Sequence, residues 1–139
     1  MISSHCHDSL SVLIVDDSEL IREKLAGQLR TIPEFSEADQ AGTVMEALRR
    51  VNDRVPQVVV LDIKLADGTG FEVLKEIRRQ GMETAVVMYT NLPASGYRRF
   101  CLEAGADLFL EKAQGFTLLM DVLRWLAREK HKSTQRTSS

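Results

Sequence analysis

The chain has 139 residues, 27% of them charged, and a formal net charge of −2 at pH 7. That length suits one domain around a single core, and the near-neutral balance excludes the overall basic footprint of a nucleic-acid-binding protein. Cys6 and Cys101 make no disulfide framework, and neither a secretory leader nor a long apolar span stands out, so the chain reads as soluble and cytoplasmic.

Both ends are polar. Residues 1–8 and 131–139 predict unstructured segments flanking one domain over 9–130. His5, Cys6 and His7 are metal-ligating types, but two or three donors close to a chain end rarely make a site. "LSVLIV" (10–15) predicts a strand buried on both faces. Ser18 suits the cap of a helix carrying Leu20, Ile21, Leu25 and Leu29, and Pro33 stops it. "FSEADQ" (35–40) predicts a polar edge strand. A second helix carries Val44, Ala47, Leu48 and Val51 as far as Pro56, and "QVVVLD" (57–62) is the third strand.

Phe71, Val73, Leu74 and Ile77 open a third helix with Gly81 at its exit. "TAVVMYT" (84–90) predicts the fourth strand, followed by a short helix through Tyr97, Phe100 and Cys101 that Gly105 closes. Cys101 reads as a buried free thiol. "DLFLE" (107–111) is the fifth strand, and residues 115–129 form the last helix. Strands alternating with helices predict an α/β, flavodoxin-like, doubly wound fold: a five-stranded parallel sheet of order 2-1-3-4-5 with helices on both faces.

Such sheets bind ligands at the carboxyl ends of their strands. Asp16 and Asp17 stand at that end of the first strand, Asp62 at the third, Thr90 at the fourth and Lys112 at the fifth. A carboxylate placed after "VVVL" is costly to desolvate unless its charge is used. Two carboxylates 4 Å apart repel by roughly 4 kcal/mol at an effective dielectric of 20, so either their pKa values rise or a cation neutralises them. Hard oxygen ligands select Mg2+, Mn2+ or Ca2+ and leave coordination positions open for phosphoryl oxygens. A hydroxyl and an ammonium beside them suit in-line phosphoryl transfer, with one carboxylate as nucleophile. Asp67 and Gly68 read as turn chemistry.

"LIVDDSE" (13–19), "VVVLDIKLADGTGFEVLKEIR" (58–78), "VVMYT" (86–90) and "EAGADLFLEKA" (103–113), in that order, resemble a response-regulator receiver domain. The resemblance implies that Asp62 is the phosphoacceptor. It implies a Mg2+ site (Mn2+ being possible) formed by Asp16, Asp17, Asp62 and the backbone carbonyl of Lys64. Thr90 and Lys112 would contact phosphoryl oxygens, and Phe109 would be the aromatic switch that follows Thr90. The donor would be a phosphohistidine on a sensor histidine kinase or histidine phosphotransfer protein. The chain would then be a phosphoacceptor that assists its own phosphorylation and dephosphorylation, not a turnover enzyme.

Departures from the family pattern are local. Ala113 follows Lys112 where proline is common, which predicts a trans peptide. Asn91 stands after Thr90 where the family usually has a small residue, and by the resemblance Lys64 and Leu92 would occupy the positions at which the family tunes phosphoryl loss. No effector domain is expected after residue 130, so output would pass through surface contacts with a downstream protein target. Nucleic acid and membrane are not expected as direct partners. On the last helix, Phe116, Leu119, Met120, Leu123 and Leu126 form a core-facing stripe. Leu118, Val122 and Trp125 form a second stripe roughly 120–140° away, an expected surface for a partner or another copy in a monomer or weak dimer. The competing readings are a phosphorylation-independent adaptor and an aspartate-nucleophile phosphatase. The second needs two aspartates separated by one residue, whereas Asp16 and Asp17 are adjacent.

Overall fold

In the computed structural model, which describes residues 9–138, the chain runs β1 (Leu10–Val15), α1 (Glu19–Leu29), β2 (Phe35–Ala41), α2 (Val44–Asp53) and β3 (Val58–Leu61). It continues through β4 (Lys64–Leu65), β5 (Gly68–Thr69), α3 (Gly70–Arg79), β6 (Ala85–Thr90), α4 (Ala94–Glu103), β7 (Leu108–Glu111) and α5 (Phe116–Ser138). The expectations for residues 1–8, with His5, Cys6 and His7, lie outside the described residues. The main sheet has the order β2-β1-β3-β6-β7, all pairs parallel, which is the doubly wound order expected from the sequence.

Successive strand residues face opposite ways, so each strand feeds two cores. Val12, Ile14, Val58, Val60 and Val87 pack with Leu25 and Leu29 of α1 and Leu119 and Leu123 of α5. Leu13, Val15, Val59, Leu61 and Val86 pack on the other face with α2, α3 and α4 through Ala47, Val51, Leu74, Ile77 and Cys101. Each such side chain contributes about 1.5–3 kcal/mol when fully buried, which ties the polar rim of the sheet to a rigid base. β2 pairs with β1 alone, and its middle residues stay partly exposed, as an edge strand requires.

Two features differ from the sequence expectation. Residues 64–69 form a small antiparallel hairpin, β4 with β5, where the sequence predicts only turn chemistry at Asp67 and Gly68. The last helix runs on to Ser138, past the boundary drawn at 130. Extending an existing helix needs no new nucleus, and the Glu129–Lys132 ion pair at 3.6 Å supports the added turn.

Candidate functional site

The sheet ladder continues one residue beyond its strands. Asp16 N–H donates to Ala41 O at 3.1 Å and Asp62 N–H to Val15 O at 2.9 Å, so both aspartates stand at the carboxyl rim with fixed main chains. Both residues are buried, at 3% and 6% exposure, whereas Asp17 is exposed. Asp16 Oδ1 accepts from Ser18 N–H at 2.9 Å, and Asp62 Oδ1 accepts from Ile63 N–H at 2.7 Å. The remaining oxygens face one ammonium. Lys112 Nζ donates to Asp16 Oδ2 at 2.7 Å and to Asp62 Oδ2 at 3.0 Å.

Lys112 reaches them from just beyond β7, through the trans Lys112–Ala113 peptide predicted from the sequence. Its Nζ also lies 5.8 Å from the centroid of the buried Tyr89 ring, a weak cation–π contact. Burial pushes the Asp16 carboxyl up, against the hydrogen bond from Lys112. Burial pulls the Lys112 ammonium down, but its bonds to Asp16 and Asp62 outweigh this and leave it raised.

The glycine-rich loop owes its composition to this rim. A Cβ on Gly70 would fall 2.1 Å from the carbonyl oxygen of Asp62, and Gly70 N–H donates to Ile63 O at 2.7 Å. No other residue fits there. Asp67 is not part of the cluster: it accepts from Val44 N–H at 2.7 Å and Met45 N–H at 3.1 Å, capping α2. The hydrogen bond from Val44 is the main cause that holds its carboxyl below the usual value.

Thr90 ends β6 fully buried, and its Oγ1 accepts from Leu92 N–H at 3.3 Å. Its register partner on β7 is Glu111, which sets Lys112 one residue further along the same rim. Phe109 is 3% exposed and packs into the core beneath α3 and α4. Lys64 is exposed at the head of the small hairpin, two residues past Asp62. On α5, Trp125 is 50% and Leu118 37% exposed, while Val122 packs partly against the core. Of the second stripe, Leu118 and Trp125 are therefore the more exposed members.

One carboxylate oxygen from each of Asp16, Asp17 and Asp62 can be chosen so that all three lie within 4.8 Å of one another. Three carboxylates against one ammonium leave an excess of negative charge, and the donors are hard oxygens. The set fits a divalent cation of the Mg2+ or Mn2+ type.

Residues 12–124 match the family model described as the response regulator receiver domain. The chain belongs to that family. Among curated relatives it is 33% identical over 110 residues to a protein-glutamate methylesterase/protein-glutamine glutaminase of Treponema denticola, covering 78% of this chain and 30% of that protein. It is 31% identical over 109 residues to the DNA-binding transcriptional activator DevR/DosR of Mycobacterium tuberculosis, covering 78% and 47%. The receiver thus spans half or less of the length of these relatives. Among solved structures it resembles the receiver domain of NtrX from Brucella abortus, at 33% identity and TM-score 0.73, covering 84% of this chain and 98% of that one. A signal receiver domain of a Luxo repressor protein from Vibrio parahaemolyticus shares the fold, at TM-score 0.81 and 24% identity over 94% and 98% of the chains.

In this receiver the Asp16, Asp17 and Asp62 cluster is positioned for phosphoryl transfer. Three contacts at the rim escaped the sequence reading. Arg22 binds the main chain of Asp16, the Tyr89 ring lies beneath Lys112, and Glu111 accepts from Ala94 N–H at the start of α4. Arg22 had a detectable signal, since it follows the Ser18 cap at helical spacing and so points back along α1 towards the rim. Among the described residues, no helix is long and apolar enough to cross a membrane.

Proposed function

We propose that the protein is a phosphorylation-driven response regulator in which Asp62 accepts a phosphoryl group from a phosphohistidine. The donor class is a sensor histidine kinase or a histidine phosphotransfer protein. One observation carries the reading: Lys112 bridges two buried carboxylates at 2.7 and 3.0 Å beside a third carboxylate. Such a cluster concentrates charge where a phosphoryl group and its counter-cation would meet.

Asp62 Oδ2 attacks phosphorus, the new O–P bond forms, and the N–P bond breaks with its electron pair returning to the imidazole. Asp16, Asp17, Asp62 and the backbone carbonyl of Lys64 would hold Mg2+, or Mn2+ in its place. When bound, the cation neutralises charge on the phosphoryl oxygens. Lys112 turns from the Asp62 carboxylate to a phosphoryl oxygen, and the Thr90 hydroxyl donates to another. The same hydroxyl oxygen accepts from Leu92 N–H, which links the chemistry to the entry of α4. Phe109 then repacks with Thr90, and the partner-binding population rises only as far as the two states differ in contacts. Exposed Leu118 and Trp125 on α5 are the surface assigned to the downstream protein target or a weakly bound second copy.

The test is labelling with acetyl phosphate, with and without Mg2+. The unaltered protein should take up hydroxylamine-labile phosphate only with Mg2+, and Asp62→Asn should take up none. Equal labelling of Asp62→Asn would overturn the assignment, and turnover of a small phosphate ester would favour the phosphatase reading.

A further inference from the structure

Beside the carboxylates, the rim holds a guanidinium that donates to two neutral oxygens. Arg22 of α1 gives Nη1–H to the main-chain carbonyl of Asp16 at 2.7 Å and Nε–H to Gln40 Oε1 at 3.1 Å. Gln40 lies on β2 and Asp16 directly follows β1, so one side chain ties the ends of two neighbouring strands. The half-buried guanidinium has room because residue 42 is glycine: a Cβ there would stand 3.0 Å from Arg22 Nη1. Gly42 is not among the glycines with positive φ, so space rather than backbone conformation sets the requirement.

We propose that Arg22 is a positioning residue for the cation site. By holding the Asp16 carbonyl it fixes the turn that carries both Asp16 and Asp17, and so their placement against Asp62. This inference rests on the cation reading of the cluster. A Mg2+ site tolerates little displacement of its oxygens, and loss of a group that orients ligands typically weakens metal binding by 10- to 100-fold. The sign separates positioning from charge. A positive group beside a cation site repels the cation, so its removal through charge alone would tighten binding.

The test is the Mg2+ dissociation constant, measured by titration calorimetry at fixed ionic strength on the full chain and on Arg22→Ala, Gly42→Ala and the double variant. Circular dichroism and urea midpoints verify that each is folded. Arg22→Ala should raise the constant about tenfold. Gly42→Ala keeps the charge but displaces the guanidinium, and should raise it about two- to threefold. In the double variant Gly42→Ala should add nothing, because its effect acts through Arg22. Unchanged or tighter binding by folded Arg22→Ala overturns the inference, as does a full Gly42→Ala effect in the absence of Arg22. Should Arg22→Ala not fold, the Gly42→Ala constant decides: weakened binding supports the inference and an unchanged value overturns it. Absence of Mg2+ binding by the unaltered protein would overturn the cation reading and this inference with it.

Discussion

Lys112 and Asp62, fifty residues apart in sequence, meet at 3.0 Å between Nζ and Oδ2. Lys112 is the cation that Asp16 and Asp62 share, with side chains only 11%, 4% and 8% exposed. Removing it leaves two buried carboxylates facing each other. Lys112→Met should therefore cost about 3 kcal/mol in the absence of divalent cation. Mg2+ should narrow that deficit, because without the competing ammonium the variant binds the cation more tightly than the unaltered protein and so gains more from it. Urea denaturation with and without Mg2+ reads both quantities. An equal deficit under both conditions would contradict the shared-cation account.

Gly70 makes a steric prediction. Gly70→Ala would drive a Cβ to 2.1 Å from the Asp62 carbonyl oxygen, which is backbone and has no rotamer by which to yield. Overpacking of this kind costs about 1–3 kcal/mol or more. The strain falls on the main chain of Asp62 itself, so acetyl phosphate labelling should drop even in protein that remains folded. Thermal midpoints and labelling, measured together, test this. Full labelling in a folded Gly70→Ala protein would show that the contact is slack.

The strand tips were legible in the sequence because β-rich runs end in chemically distinctive residues. In a parallel sheet all such ends share one rim, so Asp16, Asp62, Thr90 and Lys112 could be brought together without knowing any side-chain contact. What stayed hidden depends on contacts between segments remote in sequence. Asp67 reads as a turn residue, yet it caps a helix more than twenty residues before it, at Val44 and Met45. The spacing of Arg22 from Ser18 turns it towards the rim, but its partner Gln40 on β2 carries no local mark of the contact. The two-residue strands of the β4–β5 hairpin are too short to show alternation. The helical continuation to Ser138 has no apolar periodicity to betray it.

Trp125 tests the surface assigned to α5. Half of it is exposed, and it borders a groove formed with Leu126, Ala85 and Leu108 beside Glu83 and Lys130. Trp125→Ala should cost only about 1–2 kcal/mol of folding stability, since half of its surface is already in water. Its effect on association should be larger. Sedimentation velocity with Mg2+ and beryllofluoride should show weak self-association or target binding that Trp125→Ala loses. Unchanged association and target binding would remove α5 from the proposed surface.

Asp67 supplies a pH prediction whose sign follows from its cap. Hydrogen bonds from Val44 N–H, and then Met45 N–H, hold its carboxyl below the ordinary aspartate value of 3.8 in the folded protein. A depressed folded value means that the charged cap stabilises the native state above the unfolded pKa, and that this contribution fades as pH falls through the folded one. Asp67→Asn keeps an acceptor oxygen but loses the charge that favours the N-terminus of α2. The stability gap between the unaltered protein and Asp67→Asn should thus be constant from neutral pH down towards 3.8 and close below it. Urea midpoints of both proteins between pH 7 and the acid limit of folding measure the gap. A gap that survives or widens at the acid end would mean that charge plays no part in the cap.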